Sequence, residues 1–142
     1  KSGVGGGCWG RGWVGWSADV NGVVLFLAKG PRVQSATSKD LLRSEFIISS
    51  AVLVETEWVL RSVFRGNQGR IAAAFRDILD LPACLSAPPE INWVLEHFAA
   101  GGDFADMIHL CAAEGASAFA TFDSDIARIV SGGAPLPIET LA

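Results

Sequence analysis

Four carboxylates bracket one helix and one strand in "GGDFADMIHLCAAEGASAFATFDSD", residues 101–125. Asp103 and Asp106 open a mostly apolar helical stretch, and Asp123 and Asp125 close the apolar run that follows it. Each has an ordinary structural use. Asp103, after two glycines, suits an N-cap, and Asp106 falls in the first turn, where the helix dipole favours negative charge. Asp123 and Asp125 suit the start of a helix carrying Ile126 and Ile129. Asp19, ahead of Asn21-Gly22, is compatible with turn chemistry. Glu55 is harder to place, because "AVLVETEWVL" leaves it little room for a solvated face. Glu57 and Arg61 are four apart and read as a surface pair, which leaves Glu55 without a local partner. A buried carboxylate needs a cation or a proton.

The elements that must position these acids follow from periodicity and punctuation. "VGWSADV" alternates as a short strand ending at Asp19, and "GVVLFLAKGP" is compatible with either a strand or a short buried helix stopped by Gly30-Pro31. "SATSKDLLRS" reads as a capped helix, "EFIIS" as a brief buried strand, and "SSAVLVETEWVLRSVF" as a long helix capped by Ser49 or Ser50. "NQGRIAAAFRDILDLP" carries Ile71, Ala74, Phe75, Ile78 and Leu79 at helical spacing and stops at Pro82. "PPEINWVLEHFAAGG" gives a further helix between prolines and glycines. Helix 103–114, strand 117–121, a short helix near 124–130 and a last strand in "LPIETL" complete the chain. Short apolar strands alternating with helices predict a three-layer α/β/α sandwich around a central, mainly parallel sheet. In such a sheet ligands collect at the carboxyl ends of the strands, where Asp19, Asp123 and the start of helix 103–114 emerge.

Composition bounds the function. A chain of 142 residues, 50% hydrophobic and 18% charged, can fill one core but not two, so a single domain over 18–142 is expected after an atypical Gly/Trp-rich lead-in, 1–17. The formal charge of −4 carries no basic run, which argues against gripping long nucleic acid by bulk electrostatics but not against a nucleic-acid substrate. Three widely spaced cysteines without a zinc pattern fit a reducing, cytoplasmic setting, and no apolar run approaches the roughly 18 residues of a membrane helix. The start is expected to be neither signal peptide nor natural initiation, but a truncated or recombined end. Gly5, Gly7 and Gly10 satisfy GxGxxG, yet no strand can precede them, so a flexible lead-in is the better reading. His97 and His109 sit among apolar helix neighbours with no serine or cysteine placed to complete a triad, and Cys84 and Cys111 read as small hydrophobes.

"ADVNGVV" at 18–24, "ISSAVLVETEWVLRSVF" at 48–64, "DFADMIHLCAAEGASAFATFDSDIA" at 103–127 and the closing "PIETL" together resemble the PIN-domain family, specifically its VapC-type toxin ribonucleases. The resemblance implies a cluster of acids binding Mg²⁺ or Mn²⁺ for phosphodiester cleavage of RNA. It makes Asp19 the first acid of the family's Asp-Thr-Asn motif, with Asn21 retained and Val20 in place of threonine. Glu55 becomes the glutamate of the long helix, Asp106 the acid ahead of "IHL", and Asp123 the acid of the Thr-x-Asp segment beside Thr121. Asp103 and Asp125 are additional candidates. Asp19, Asp106 and Asp123 would be metal ligands, and Glu55 would orient a water or act as base. A homodimer and a cognate antitoxin are implied as partners. The glycine- and tryptophan-rich start and Gly22 depart from the family pattern. Two rivals follow: a catalytically impaired interaction module of the same fold, and a metal-dependent phosphoesterase of another α/β fold, the latter opposed by the absence of a phosphate loop or DxDx(T/V) pattern.

Overall fold

The computed structural model describes residues 16–17, 23, 45–113, 115–131 and 133–142. Strand β1 (Trp16–Ser17) and strand β2 (Phe46–Ile47) precede helix α1 (Ser50–Ser62), helix α2 (Gln68–Leu79) and strand β3 (Cys84–Ser86). Helix α3 (Ile91–Ala99), helix α4 (Phe104–Ala112), strand β4 (Phe119–Thr121), helix α5 (Ser124–Ile129) and strand β5 (Ile138–Thr140) follow. This is an α/β fold. Among the described residues all three strand pairings are parallel: β1-β2-β3 form one sheet, with Trp16 opposite Phe46 and Phe46 opposite Cys84, and β4-β5 form a second. Parallel neighbours require crossover connections, which α1 and α2 supply between β2 and β3, and α5 between β4 and β5.

Helices α1 and α2 begin where their sequences offer a cap. The Ser49 hydroxyl accepts from the Val52 N–H at 3.2 Å, and the Asn67 side chain accepts from the Arg70 N–H at 2.8 Å. Each then buries one stripe: Leu53, Thr56, Glu57 and Leu60 on α1, Ile71, Ala72, Phe75 and Ile78 on α2, and Val94, Leu95 and Phe98 on α3. These stripes meet Phe46 and the inner face of α4 in a single core. Phe104 is its pivot, edge-on to Phe75 at 5.4 Å and to Phe98 at 5.2 Å between ring centroids. Full burial of such a ring contributes about 2–3 kcal/mol, with about 0.5–1.5 kcal/mol more for each aromatic pair. The first residue of the acid-bearing helix is therefore locked against two helices, α2 and α3.

Two expectations change, and one open alternative narrows. The long helix buries Glu57, 4% exposed, and leaves Glu55 exposed, the reverse of what the sequence suggests. Its phase is set by Leu53, Thr56 and Leu60, and at about 100° per residue Glu55 lies some 200° around from Leu53. The valines beside Glu55 are only half-buried flanks, which makes the segment look apolar all round. Strand β3 has no counterpart among the expected elements: three residues between Pro82 and Pro88 are too few to show a period. Val23 is helical and fully buried, which favours the helical alternative at that residue. Asp19, Asn21 and the expected helix in "SATSKDLLRS" lie outside the described residues.

Candidate functional site

The site is built at the turn from α3 into α4. Helix α3 ends in a Schellman arrangement: the Gly101 N–H donates to the Phe98 carbonyl at 3.0 Å and the Gly102 N–H to the His97 carbonyl at 2.9 Å. Gly101 takes φ +116°, a conformation that favours glycine. A Cβ on Gly102 would lie 2.9 Å from the His97 carbonyl oxygen, so the chain can pass there only without a side chain. The Gln68 side-chain amide donates to the Gly102 carbonyl at 2.8 Å and ties this turn to the start of α2. The next residue is Asp103.

Asp103 caps α4 as expected, its Oδ2 accepting from the Asp106 N–H at 3.0 Å. That contact commits one oxygen to the backbone and faces the carboxylate toward the first turn. Asp106 is half-buried in the first turn of α4. Partial burial, and then the negative charges of Asp103 and Asp123, raise its carboxyl pKa above the usual aspartate value, with His109 pulling weakly the other way. Two segments distant in sequence thus bring their acids into one electrostatic neighbourhood.

Asp123 is positioned from the end of β4. Its N–H donates to the Thr121 hydroxyl at 3.0 Å, and its own Oδ1 accepts from the Asp125 N–H at 2.9 Å, capping α5. Thr121 is therefore a positioning residue for Asp123. Asp125 is engaged separately, its Oδ1 accepting from the Arg128 guanidinium at 3.0 Å in an exposed pair. The described positions therefore bring together Asp103, Asp106 and Asp123, with Asp125 beside them but engaged, and give Glu55 an exposed place on α1.

Glu57 and Arg61 matter more than their reading as a surface pair suggests. The Arg61 Nε donates to Glu57 Oε2 at 2.8 Å, and the carboxylate is buried while the guanidinium is half out. The bond and charge of Glu57, and further off the charge of Asp103, hold the guanidinium above its ordinary pKa. The last turn of α1 is in this way placed beside the α4 start. Leu53, Thr56 and Leu60, at helical spacing, are the sequence signal that carries the correct phase.

A crowded all-oxygen donor set suits a hard divalent cation. Among the described residues, however, no three acids, histidines or cysteines already stand in a metal-holding arrangement. Two described cavities lie elsewhere, one of about 310 Å³ beyond the far end of α4, lined by Glu90, Cys111 and Leu136 among others, and one beside β5. Burial raises the thiol pKa of Cys84 and Cys111, in keeping with their reading as small hydrophobes. His97 stacks on Trp93 at 4.1 Å between ring centroids, and His109 lies exposed on α4.

A family model, the PIN domain, matches residues 19–131, well over half of the chain. The match begins on Asp19 and takes in Asn21, Glu55, Asp103, Asp106, Thr121, Asp123 and Asp125. Comparison with curated proteins and with solved structures gives no significant match.

Proposed function

The chain belongs to the PIN domain family, and from that premise we propose that it is a metal-dependent ribonuclease of the VapC toxin type, cleaving RNA at the acids around the start of α4. PIN domains are generally metal-dependent nucleases. The observation that carries the reading is the placement of Asp106, half-buried in the first turn of α4 behind the Asp103 cap and within reach of the charge of Asp123. A fold that forces like charges together there gains most from a bound cation.

Asp106 and Asp123, completed by Asp19, would hold Mg²⁺ or Mn²⁺, with Asp103 at the rim. The ion would supply charge neutralisation at the phosphate and acidify a water for in-line attack. The chain does the positioning. The Schellman turn and the Phe104 cluster fix Asp106, and Thr121 fixes the backbone of Asp123. Glu55, on a face of α1 open to solvent, is assigned to orient or deprotonate the attacking water. Asn21 is assigned to support Asp19.

The toxin assignment rests on the resemblance of the segments around these acids. It brings a cognate antitoxin, a cytoplasmic setting and a homodimer, the last supported by Trp58, Val63 and Phe64 exposed together at the end of α1. No helix among the described residues is long and apolar enough to cross a membrane. Residues 18–142 are proposed to act as one domain, with the lead-in contributing β1 to its sheet.

The test is cleavage of end-labelled single-stranded RNA by the full chain with Mg²⁺, with Mn²⁺ and with chelator. Metal-dependent cleavage abolished by Asp106→Asn is the expected result. Cleavage that persists in Asp106→Asn moves the chemistry elsewhere. Metal binding without cleavage favours the impaired interaction module.

A further inference from the structure

Phe122 is 78% exposed, more than any other large apolar side chain among those described, and it is the residue immediately before Asp123. Its backbone is held on both sides. The Thr121 carbonyl accepts from the Leu141 N–H at 2.7 Å across the β4-β5 pair, the Thr121 hydroxyl accepts from the Asp123 N–H, and the Asp123 carboxylate accepts from the Asp125 N–H. An exposed aromatic side chain thus stands on fixed backbone one residue before Asp123.

Charge says what such a ring is needed for. The chain carries −4 overall, and two arginines on the helices around the site are already engaged, Arg61 by Glu57 and Arg128 by Asp125. With a net negative charge and these two arginines committed to carboxylates, the acids at this edge repel a polyanion. A nucleobase face is neutral, and stacking on an aromatic side chain tolerates any base. We propose that Phe122 is the stacking platform that holds a nucleobase of the single-stranded substrate next to the scissile phosphodiester; this rests on the ribonuclease reading above. A ring already fixed in place binds with little ordering cost. Specificity follows in kind: the site takes unpaired strands, whose bases are free to lie on the ring, and excludes duplex.

The experiment uses the full chain carrying Asp106→Asn, so that substrate survives, with Mg²⁺ present and a single-stranded RNA of about 12 nucleotides containing 2-aminopurine, long enough to span the site. Phe122→Ala is expected to weaken binding about 5- to 150-fold and to abolish the fluorescence quenching of the stacked base. Phe122→Trp should retain both, and Phe122→Leu, apolar but without a π face, should behave like alanine. On the Asp106 background restored to aspartate, Phe122→Ala should raise KM by a similar factor with kcat little changed. The side chain is exposed, so the thermal midpoint should not move. Equal binding and KM in Phe122→Ala and the parent overturn the inference while leaving the ribonuclease reading intact. So does a change in sedimentation with RNA affinity unaltered, which would make Phe122 a contact between protein chains. If the unmodified chain neither binds nor cleaves RNA with Mg²⁺ or Mn²⁺, the ribonuclease reading falls and this inference with it.

Discussion

Replacing Arg61 by leucine leaves the Glu57 carboxylate inside the protein with no cation. The pair is closed at 2.8 Å, and its two ends differ, with the carboxylate side chain 5% exposed and the guanidinium 50%. Breaking a fully buried pair costs about 3–5 kcal/mol, whereas a fully exposed pair contributes about 0.2–1 kcal/mol. One buried end and one half-solvated end put the loss at about 1.5–3 kcal/mol. At an unfolding entropy of about 2.1 cal/mol/K per residue, a chain of this length loses roughly 5–10 °C of thermal midpoint. Scanning calorimetry of the wild type, Arg61→Leu, Arg61→Lys and the double variant Glu57→Leu/Arg61→Leu measures it. The double variant should recover most of the loss, because two apolar side chains of similar size replace the pair. Arg61→Lys should fall between, keeping the charge without the Nε geometry. A midpoint for Arg61→Leu within about 1 °C of wild type, or a double variant less stable than the single one, would refute the burial of Glu57 and the helix phase that follows from it.

Asp106→Asn should stabilise the metal-free protein, since the folded environment raises this carboxyl and disfavours its charge. The sign follows: the protonated form is favoured in the fold, so wild type and variant converge below the ordinary aspartate pKa of about 3.9, and wild type falls behind as pH rises through the folded value. A pH series of thermal midpoints in chelator checks this, and a gap that closes toward neutral pH contradicts it. Saturating Mg²⁺ or Mn²⁺ should reverse the order, stabilising wild type by about 2–3 kcal/mol at a hundredfold excess over Kd and leaving the variant unmoved. Gly102→Ala should cost about 1–3 kcal/mol by forcing a Cβ toward the His97 carbonyl, and its displacement of α4 should lower cleavage more than it lowers RNA affinity.

Much of this arrangement can be read from the sequence, for reasons that differ by element. Helix α2 is legible because its apolar stripe, its Asn67 start and its Pro82 stop agree. The caps at Asp103 and Asp123 are legible because small polar residues after glycine or a strand have few other uses. Glu55 and Glu57 exchange places because apolar residues flank both, and only tertiary packing decides which stripe of α1 turns inward. Strand β3 is invisible in sequence because a three-residue strand owes its existence to its neighbour, the Phe46 N–H donating to the Ala83 carbonyl, rather than to its own pattern. The convergence of Asp106 with Asp123 is a product of the crossover between α4 and β4, which no local signal records.

The central claim is that Asp106 and Asp123 share one cation with Asp19. A crystal structure with Mn²⁺ tests it most directly, through the anomalous signal of the ion. The account predicts one peak bridging Asp19, Asp106 and Asp123 at oxygen distances near the ~2.1 Å of hard divalent sites. Carboxylates of Asp19 and Asp106 more than about 8 Å apart, too far for one ion and its waters to span, would contradict it.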